Sequence, residues 1–186
     1  MALVHKHSYI MASSLLFVAT LVVAFSRTNA TTDLIGSICR KAQRPATCTR
    51  ALRSDPRTKS ADLNTLAAIA IDVSTKHAKT SHALVQSLIT GAKNPESKSR
   101  YSSCLDNYQD SIDSLQRCLD FLKNKDYGSL DSYASGALDF PETCDNDFKE
   151  AAARESGKLK AASVKLQDLC DVILIISSKL SGRVVE

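Results

Sequence analysis

Apolar residues recur three or four positions apart in four long stretches of the chain, the spacing that places them on one face of an α-helix. The first stretch begins near residues 60–62 and is closed by Gly91 and Pro95. The second opens at Ser97 and is interrupted by the polar segment 123–128. Both stripes predict amphipathic helices, with Leu63, Leu66, Ala67, Ala70, Ile71, Ser74, Ala78, Ser81, Val85 and Leu88 in the first and Tyr101, Cys104, Leu105, Tyr108, Ile112, Leu115, Leu119 and Leu122 in the second.

The third stretch contains Pro141, which lacks a backbone N–H, so we expect its helix to kink or break after Asp139. A loop around residues 154–158 precedes the fourth stretch, whose stripe has near-heptad spacing. The apolar segment 172–176 has the composition of a strand, but it continues the helical stripe on both sides. We therefore predict an all-α fold in which residues 60–182 form an up-down-up-down four-helix bundle.

A shorter feature precedes the bundle at residues 31–58, where apolar residues of helical spacing flank a turn that contains Pro45. Cys39 and Cys48 lie on either side of this turn, so a disulfide between them would clamp a helical hairpin. A hairpin of this length is too small to bury a core of its own. We therefore expect it to form a rigid arm at the periphery of the bundle.

The first 30 residues have a different character from the rest. A basic start, an apolar run over residues 9–25 and small residues at Thr28 and Ala30 predict a secretory signal peptide that is cleaved after Ala30, rather than a membrane anchor. Cleavage removes two of the 24 basic residues and none of the 20 acidic ones, which leaves a net charge near +2. Because the remaining basic residues are scattered, a nucleic-acid partner is not expected.

All six cysteines lie beyond the predicted signal peptide, and an exported chain meets an oxidising compartment, so disulfides are expected. Sequence alone does not select one pairing. Cys104 near the start of the second helix and Cys144 near the end of the third come level in adjacent antiparallel helices, so they can form a bridge. In the same register Cys118 and Cys170 are about 12 Å apart along the helix axes, which a disulfide cannot span. We therefore predict that these two are free, reduced and at least partly buried.

No nucleophile, metal or phosphate-binding motif is found along the chain. Beyond the signal peptide the histidines are His77 and His82, which lie five positions apart, point to different helix faces and cannot easily share a metal ion. Asp106, Asp110 and Asp113 fall on one side of the second helix, as either a functional acidic site or an ordinary solvated face. We expect no catalytic residue, no cofactor and no metal, and a protein that works by binding.

Five segments, in their order and spacing, resemble the plant invertase/pectin methylesterase inhibitor family over about residues 33–181. They read DLIGSICRKAQRPATC, ALRSDPRTKSADLNTLAAIAID, CLDNYQDSIDSL, KNKDYGSLDSYASGALDFPETCDNDFKE and LQDLCDVILIIS. The resemblance implies a four-helix bundle behind an N-terminal hairpin. It also implies two disulfides, which by position join Cys39 to Cys48 and Cys104 to Cys144. Cys118 and Cys170 stand outside the family's four-cysteine pattern.

The resemblance further implies a secreted inhibitor that docks on the substrate cleft of pectin methylesterase or acid invertase. Such a protein is expected in the apoplast or cell wall, or in the vacuole if it is an invertase inhibitor of that type. Segment 123–138 lacks the Pro-Lys-Phe loop of invertase inhibitors that resemble the tobacco cell-wall form, which favours pectin methylesterase as the target. A non-inhibitory structural, storage or ligand-binding bundle is the alternative from another class.

Carboxylates on the inhibitor would mimic the charge of an acidic polysaccharide in the enzyme's groove. We expect the target contacts on the second and third helices, at exposed Asp106, Asp110, Asp113 and Asp131. No membrane partner is expected after cleavage of the signal peptide. The N-terminal hairpin is expected either to pack on the bundle or to mediate formation of a homodimer.

Overall fold

The computed structural model describes residues 34–151 and 155–183, and this part of the chain is helical without any β-strand. Residues 34–39 form α1, and a short 3-10 helix over Pro56–Ser60 leads into the long helices. The other helices are α2 at Pro45–Arg53, α3 at Leu63–Gly91, α4 at Pro95–Lys123, α5 at Tyr127–Glu150 and α6 at Gly157–Leu180. No helix among these residues is long and apolar enough to cross a membrane.

The four long helices form a closed ring in which α4 packs on α3 and α5, while α6 packs on α5 and α3. Consecutive helices are joined by short connections, so they run antiparallel, and the predicted up-down-up-down four-helix bundle is confirmed. Small buried residues such as Ala70, Ala78, Ala134 and Ala137 let the helices approach closely. In this ring, α4 and α6 lie diagonally opposite each other across the core.

Side-chain caps fix where the helices begin. Asp62 accepts a hydrogen bond from the backbone N–H of Thr65 at the start of α3. At the start of α4 the Asn94 side chain accepts from the N–H of Ser97 at 2.7 Å. This helix therefore starts at Pro95, two residues before the predicted opening, because proline is well tolerated in a first turn where its missing N–H has no helical partner.

A kink or a break was expected at Pro141, and the break does not occur, since α5 continues through this residue to Glu150. Proline removes the N–H that would bond the carbonyl of Ala137 four residues earlier. That buried carbonyl instead accepts a hydrogen bond from the Ser111 hydroxyl of α4 at 3.2 Å. The helix continues because a neighbouring helix supplies the missing donor.

The N-terminal hairpin is part of the main core, which corrects the expectation of a peripheral arm. A disulfide joins Cys39 to Cys48, with their Cα atoms 5.5 Å apart. Ile38 and Leu52 on the two sides of the clamp are fully buried and belong to the same apolar cluster as the bundle. At the hairpin turn, Arg44 forms an ion pair of 2.8 Å with an aspartate of α6, Asp168.

A second disulfide joins Cys104 of α4 to Cys144 of α5, with their Cα atoms 4.8 Å apart. Cys118 and Cys170 are both free and buried. They lie on α4 and α6, the two helices on opposite sides of the core. Burial raises the pKa of the Cys170 thiol, and Cys118 contributes to that shift.

Candidate protein-docking surface

The outer side of α4 presents a row of carboxylates. Asp106, Asp110 and Asp113 are all exposed, and their spacing of four and three residues places them on one face of the helix. Seven residues of helix separate the first from the last, which is about 10 Å along the axis. We call these three residues the acidic face.

The acidic face carries free negative charge. None of its three carboxylates belongs to an ion pair among the residues that the structure describes. Asp113 accepts a hydrogen bond of 2.9 Å from the neutral Gln109 side chain. Arg117, four residues after Asp113, lies 5.7 Å above the ring of Tyr133 in α5. The acidic face is therefore not neutralised by an i,i+4 ion pair, and its carboxylates are open to solvent.

Asp131 does not extend the acidic face. Its side chain is only 23 % exposed and forms an ion pair with Arg183, which follows α6. The expectation that Asp131 is exposed is therefore wrong. Its ion pair links α5 to the segment that follows α6. Sequence patterns did not reveal this partner because Arg183 lies beyond the last apolar stripe.

An aromatic cluster borders the acidic face at the seam between α4 and α5. The rings of Phe121 and Tyr133 are 4.9 Å apart, and both side chains are partly buried. Arg117 lies above the Tyr133 ring. Its guanidinium group and the two aromatic rings therefore add a cationic and an apolar element beside the carboxylates. Neither aromatic residue lies on an apolar stripe that the periodicity picks out, so this cluster could not be predicted from the sequence.

Groups that commonly carry catalysis are engaged in packing. The Nε2 atom of His77 lies 2.9 Å from the carbonyl oxygen of Ala162, and burial lowers the pKa of this histidine. Burial raises the pKa of the Cys118 thiol to about 12, which keeps it protonated and unreactive. The His77 contact ties α3 to α6, and the Cys118 thiol packs inside the core.

One group of potential metal ligands lies at the corner between α5 and α6. Atoms of Cys144, Asp145 and Glu155 lie within 4.8 Å of one another. The sulfur of Cys144 is bonded to Cys104, and Asp145 accepts a hydrogen bond of 2.5 Å from Lys160. A disulfide sulfur is a poor ligand and an ammonium group already neutralises the carboxylate, so this corner does not fit a cation site.

Known proteins resemble this chain over most of its length. Residues 33–176 match the model of the plant invertase/pectin methylesterase inhibitor family. The chain belongs to this family. Its members are proteins that inhibit enzymes and are not themselves catalysts.

Three relatives place the chain within the inhibitor family. A pectinesterase inhibitor from Actinidia deliciosa is 40% identical over 178 residues, 91% of this chain and 96% of the relative. A cell wall / vacuolar inhibitor of fructosidase from Arabidopsis thaliana is 28% identical, over 91% of this chain and 99% of the relative. The crystal structure of a mutant form of a pectin methylesterase inhibitor from Arabidopsis superposes with a TM-score of 0.69 at 30% identity, covering 77% of this chain and 95% of that one.

Proposed function

We propose that this inhibitor-family protein blocks a pectin methylesterase by covering its substrate cleft with the acidic face of α4. The observation that carries the choice of target is the 40% identity, over nearly the whole of both chains, to a pectinesterase inhibitor. The missing Pro-Lys-Phe loop in segment 123–138 supports the same choice.

The chemistry of the target explains why carboxylates suit this role. Pectin methylesterase converts neutral methyl esters into carboxylates, so its groove has to accept negative charge next to the ester that reacts. Asp106, Asp110 and Asp113 offer unpaired carboxylates on a helix that the Cys104–Cys144 disulfide ties to its neighbour. A rigid surface loses little conformational entropy on binding, and its charges steer the encounter.

The deciding experiment is to mix the purified mature protein with a plant pectin methylesterase and, separately, with an acid invertase, and to assay both activities. We expect inhibition of the pectin methylesterase. Potent inhibition of the invertase with none of the pectin methylesterase would overturn the proposed target. Loss of neither activity would favour the non-inhibitory bundle.

A triple variant tests the docking surface. Replacing Asp106, Asp110 and Asp113 by Asn should weaken inhibition by about tenfold, because three exposed contacts of about 0.5 kcal/mol each add up to that factor. Added salt should weaken the wild-type complex as well, since exposed charges are screened within about 8 Å at physiological ionic strength.

The matched control replaces Asp139, Glu142 and Glu150 by their amides, three exposed acids of α5 that give the same change in net charge. This control should keep wild-type inhibition and helical content. An unchanged affinity in the α4 variant, or an equal loss in both variants, would contradict docking through the acidic face.

We also propose that the mature protein begins after a signal peptide at residues 1–30 and acts outside the cell, in the cell wall. The evidence for the signal peptide is the sequence pattern alone, since residues 1–33 lie outside the described part of the chain. The two free cysteines fit an exported protein as well, because both are buried away from the oxidising solvent.

A further inference from the structure

A long groove runs between α3 and α4, on the side of α4 away from α5. Its wider part has a volume of about 740 Å³. A second depression of about 340 Å³ continues it along α3, the end of α4 and the turn that follows α4, and Leu119 lines both. Together we call them the α3–α4 groove. From Asn64 to Ala83 the groove follows 19 residues of α3, or about 28 Å of helix.

Lysines dominate the charge of this groove. Lys76 and Lys79 line the wider part, and Lys123 and Lys125 line its continuation. All four are exposed, and none of them belongs to an ion pair among the described residues. The acidic residue of the lining, Asp72, is already held by an arginine at 2.6 Å. The lining therefore carries more positive than negative charge.

The remaining lining suits a carbohydrate. Gln116 offers an amide along the wider part, and the hydroxyls of Thr75 and Thr80, which donate to carbonyls of α3, can still accept a hydrogen bond there. Leu119, a large apolar side chain that is 36% exposed, lies where the two parts meet. Sugar rings need such a mixture, since hydroxyl groups ring the edge of each pyranose and C–H groups cover its faces.

We propose that the α3–α4 groove binds a linear polyuronate chain, the carboxylate form of pectin. The groove is open and elongated, which suits an extended polymer better than a compact small molecule. Unpaired lysines complement a chain that carries one carboxylate on every unesterified sugar. The identity of this ligand rests on the proposed function, whereas the groove and its charge are independent of it.

This groove and the acidic face lie on different sides of α4 and carry opposite charge. Gln116 and Leu119 point towards α3, whereas Asp106, Asp110 and Asp113 point to solvent. A protein bound to polyuronate through α3 and α4 still presents its carboxylates to an enzyme. The inhibitor would thus gather on the stretches of pectin that have already lost their methyl esters.

The test measures binding of the inhibitor alone, without any enzyme, to an unesterified oligogalacturonate and to a fully methyl-esterified oligomer of the same length. The unesterified oligomer should bind about tenfold more tightly, and replacing Lys76, Lys79, Lys123 and Lys125 by Gln should abolish that preference. Equal binding of both oligomers, or no binding of either, would overturn the proposal.

The control replaces four exposed lysines at the opposite end of the bundle by Gln, namely Lys93, Lys98, Lys149 and Lys158. It matches the charge change of the groove variant and should keep the preference. An equal loss of the preference in both variants would show that net charge alone determines it, and would overturn binding in the groove. Inhibition of pectin methylesterase on a soluble substrate should survive in the groove variant. Binding of oligomer without any inhibition would instead contradict the proposed function and leave the groove standing.

Discussion

At the scale of single residues, the corner between α5 and α6 concentrates buried polar groups. Asp145 is 1% exposed and bonds Lys160, yet its second carboxylate oxygen has no partner among the described residues. Burial and the nearby Asp145 raise the pKa of Glu155 to about 7, and Lys160 and Lys149 oppose that shift. Tyr108, whose pKa is raised by burial, also faces the two carboxyl groups. The surroundings at this corner therefore favour the protonated, neutral form of Glu155.

Glu155 should make the stability of the protein depend on pH. The folded state holds this proton up to about pH 7, whereas the unfolded state releases it near 4.5, so the free energy of unfolding falls as pH rises between these values. Glu155→Gln should remove that component and gain stability relative to wild type at pH 8, with little change at pH 4. Urea unfolding at both pH values measures this. Exposed Glu142→Gln is the control, and an equal gain there would contradict the role of the buried site.

The exposure or burial of a residue could be predicted from the sequence where it depends on neighbours in the same helix, and not where it depends on a partner far away in the chain. Asp106, Asp110 and Asp113 are exposed because a helix period alone puts them opposite the apolar stripe of α4. Asp131 was misjudged because its partner Arg183 lies 52 residues away in the chain. The buried state of Cys118 and Cys170 followed from their place beside apolar stripes.

At the scale of the helices, α5 depends on a donor from its neighbour. Ser111 in α4 is fully buried, and its hydroxyl donates a hydrogen bond to the carbonyl of Ala137. This is the carbonyl that would accept from the backbone N–H of residue 141 if that residue were not proline. The Pro141 carbonyl in turn accepts a bond of 3.1 Å from Ser163 of α6. A kink or break was predicted here because the rule for proline considers one helix, whereas the donor that replaces the missing N–H comes from a neighbouring helix, α4.

Ser111→Ala should cost about 1–3 kcal/mol of stability, because it leaves a buried carbonyl without a partner. In a Pro141→Ala background the same change should cost less, since Ala at this position restores the backbone N–H. Ser74→Ala is the matched control: its buried hydroxyl bonds a carbonyl within an uninterrupted helix. Urea unfolding of the four proteins in this double-mutant cycle gives the coupling, and purely additive costs would contradict the compensation.

At the scale of the whole molecule, the order of the four long helices was predictable and the place of the hairpin was not. Each long helix carries its own apolar stripe and its own stop signals, such as Gly91 and the polar segment 123–128. The connections between the helices are short, so the ring arrangement follows. The hairpin joins the core through Ile38, Leu52 and the contact of Arg44 with Asp168, which lies 124 residues further along the chain. No local pattern encodes a contact of that range.

Because the hairpin belongs to the core, its disulfide should stabilise the protein as a whole. Opening the short Cys39–Cys48 loop by replacing both residues with Ala should cost about 3 kcal/mol in the chain-entropy model, and opening the longer Cys104–Cys144 loop should cost about 4 kcal/mol. Each variant should still unfold in one cooperative transition, shifted to lower urea, when followed by circular dichroism.

The comparison between these variants separates an integrated hairpin from a peripheral arm. If the hairpin were an independent arm, the variant without Cys39 and Cys48 would keep the wild-type midpoint, and only the Cys104 and Cys144 variant would shift. A control for the loss of a buried sulfur replaces the free Cys170 with Ala, which removes a side chain of the same kind without opening a loop. A shift in the hairpin variant no larger than in this control would show that burial rather than the clamp holds the hairpin on α6.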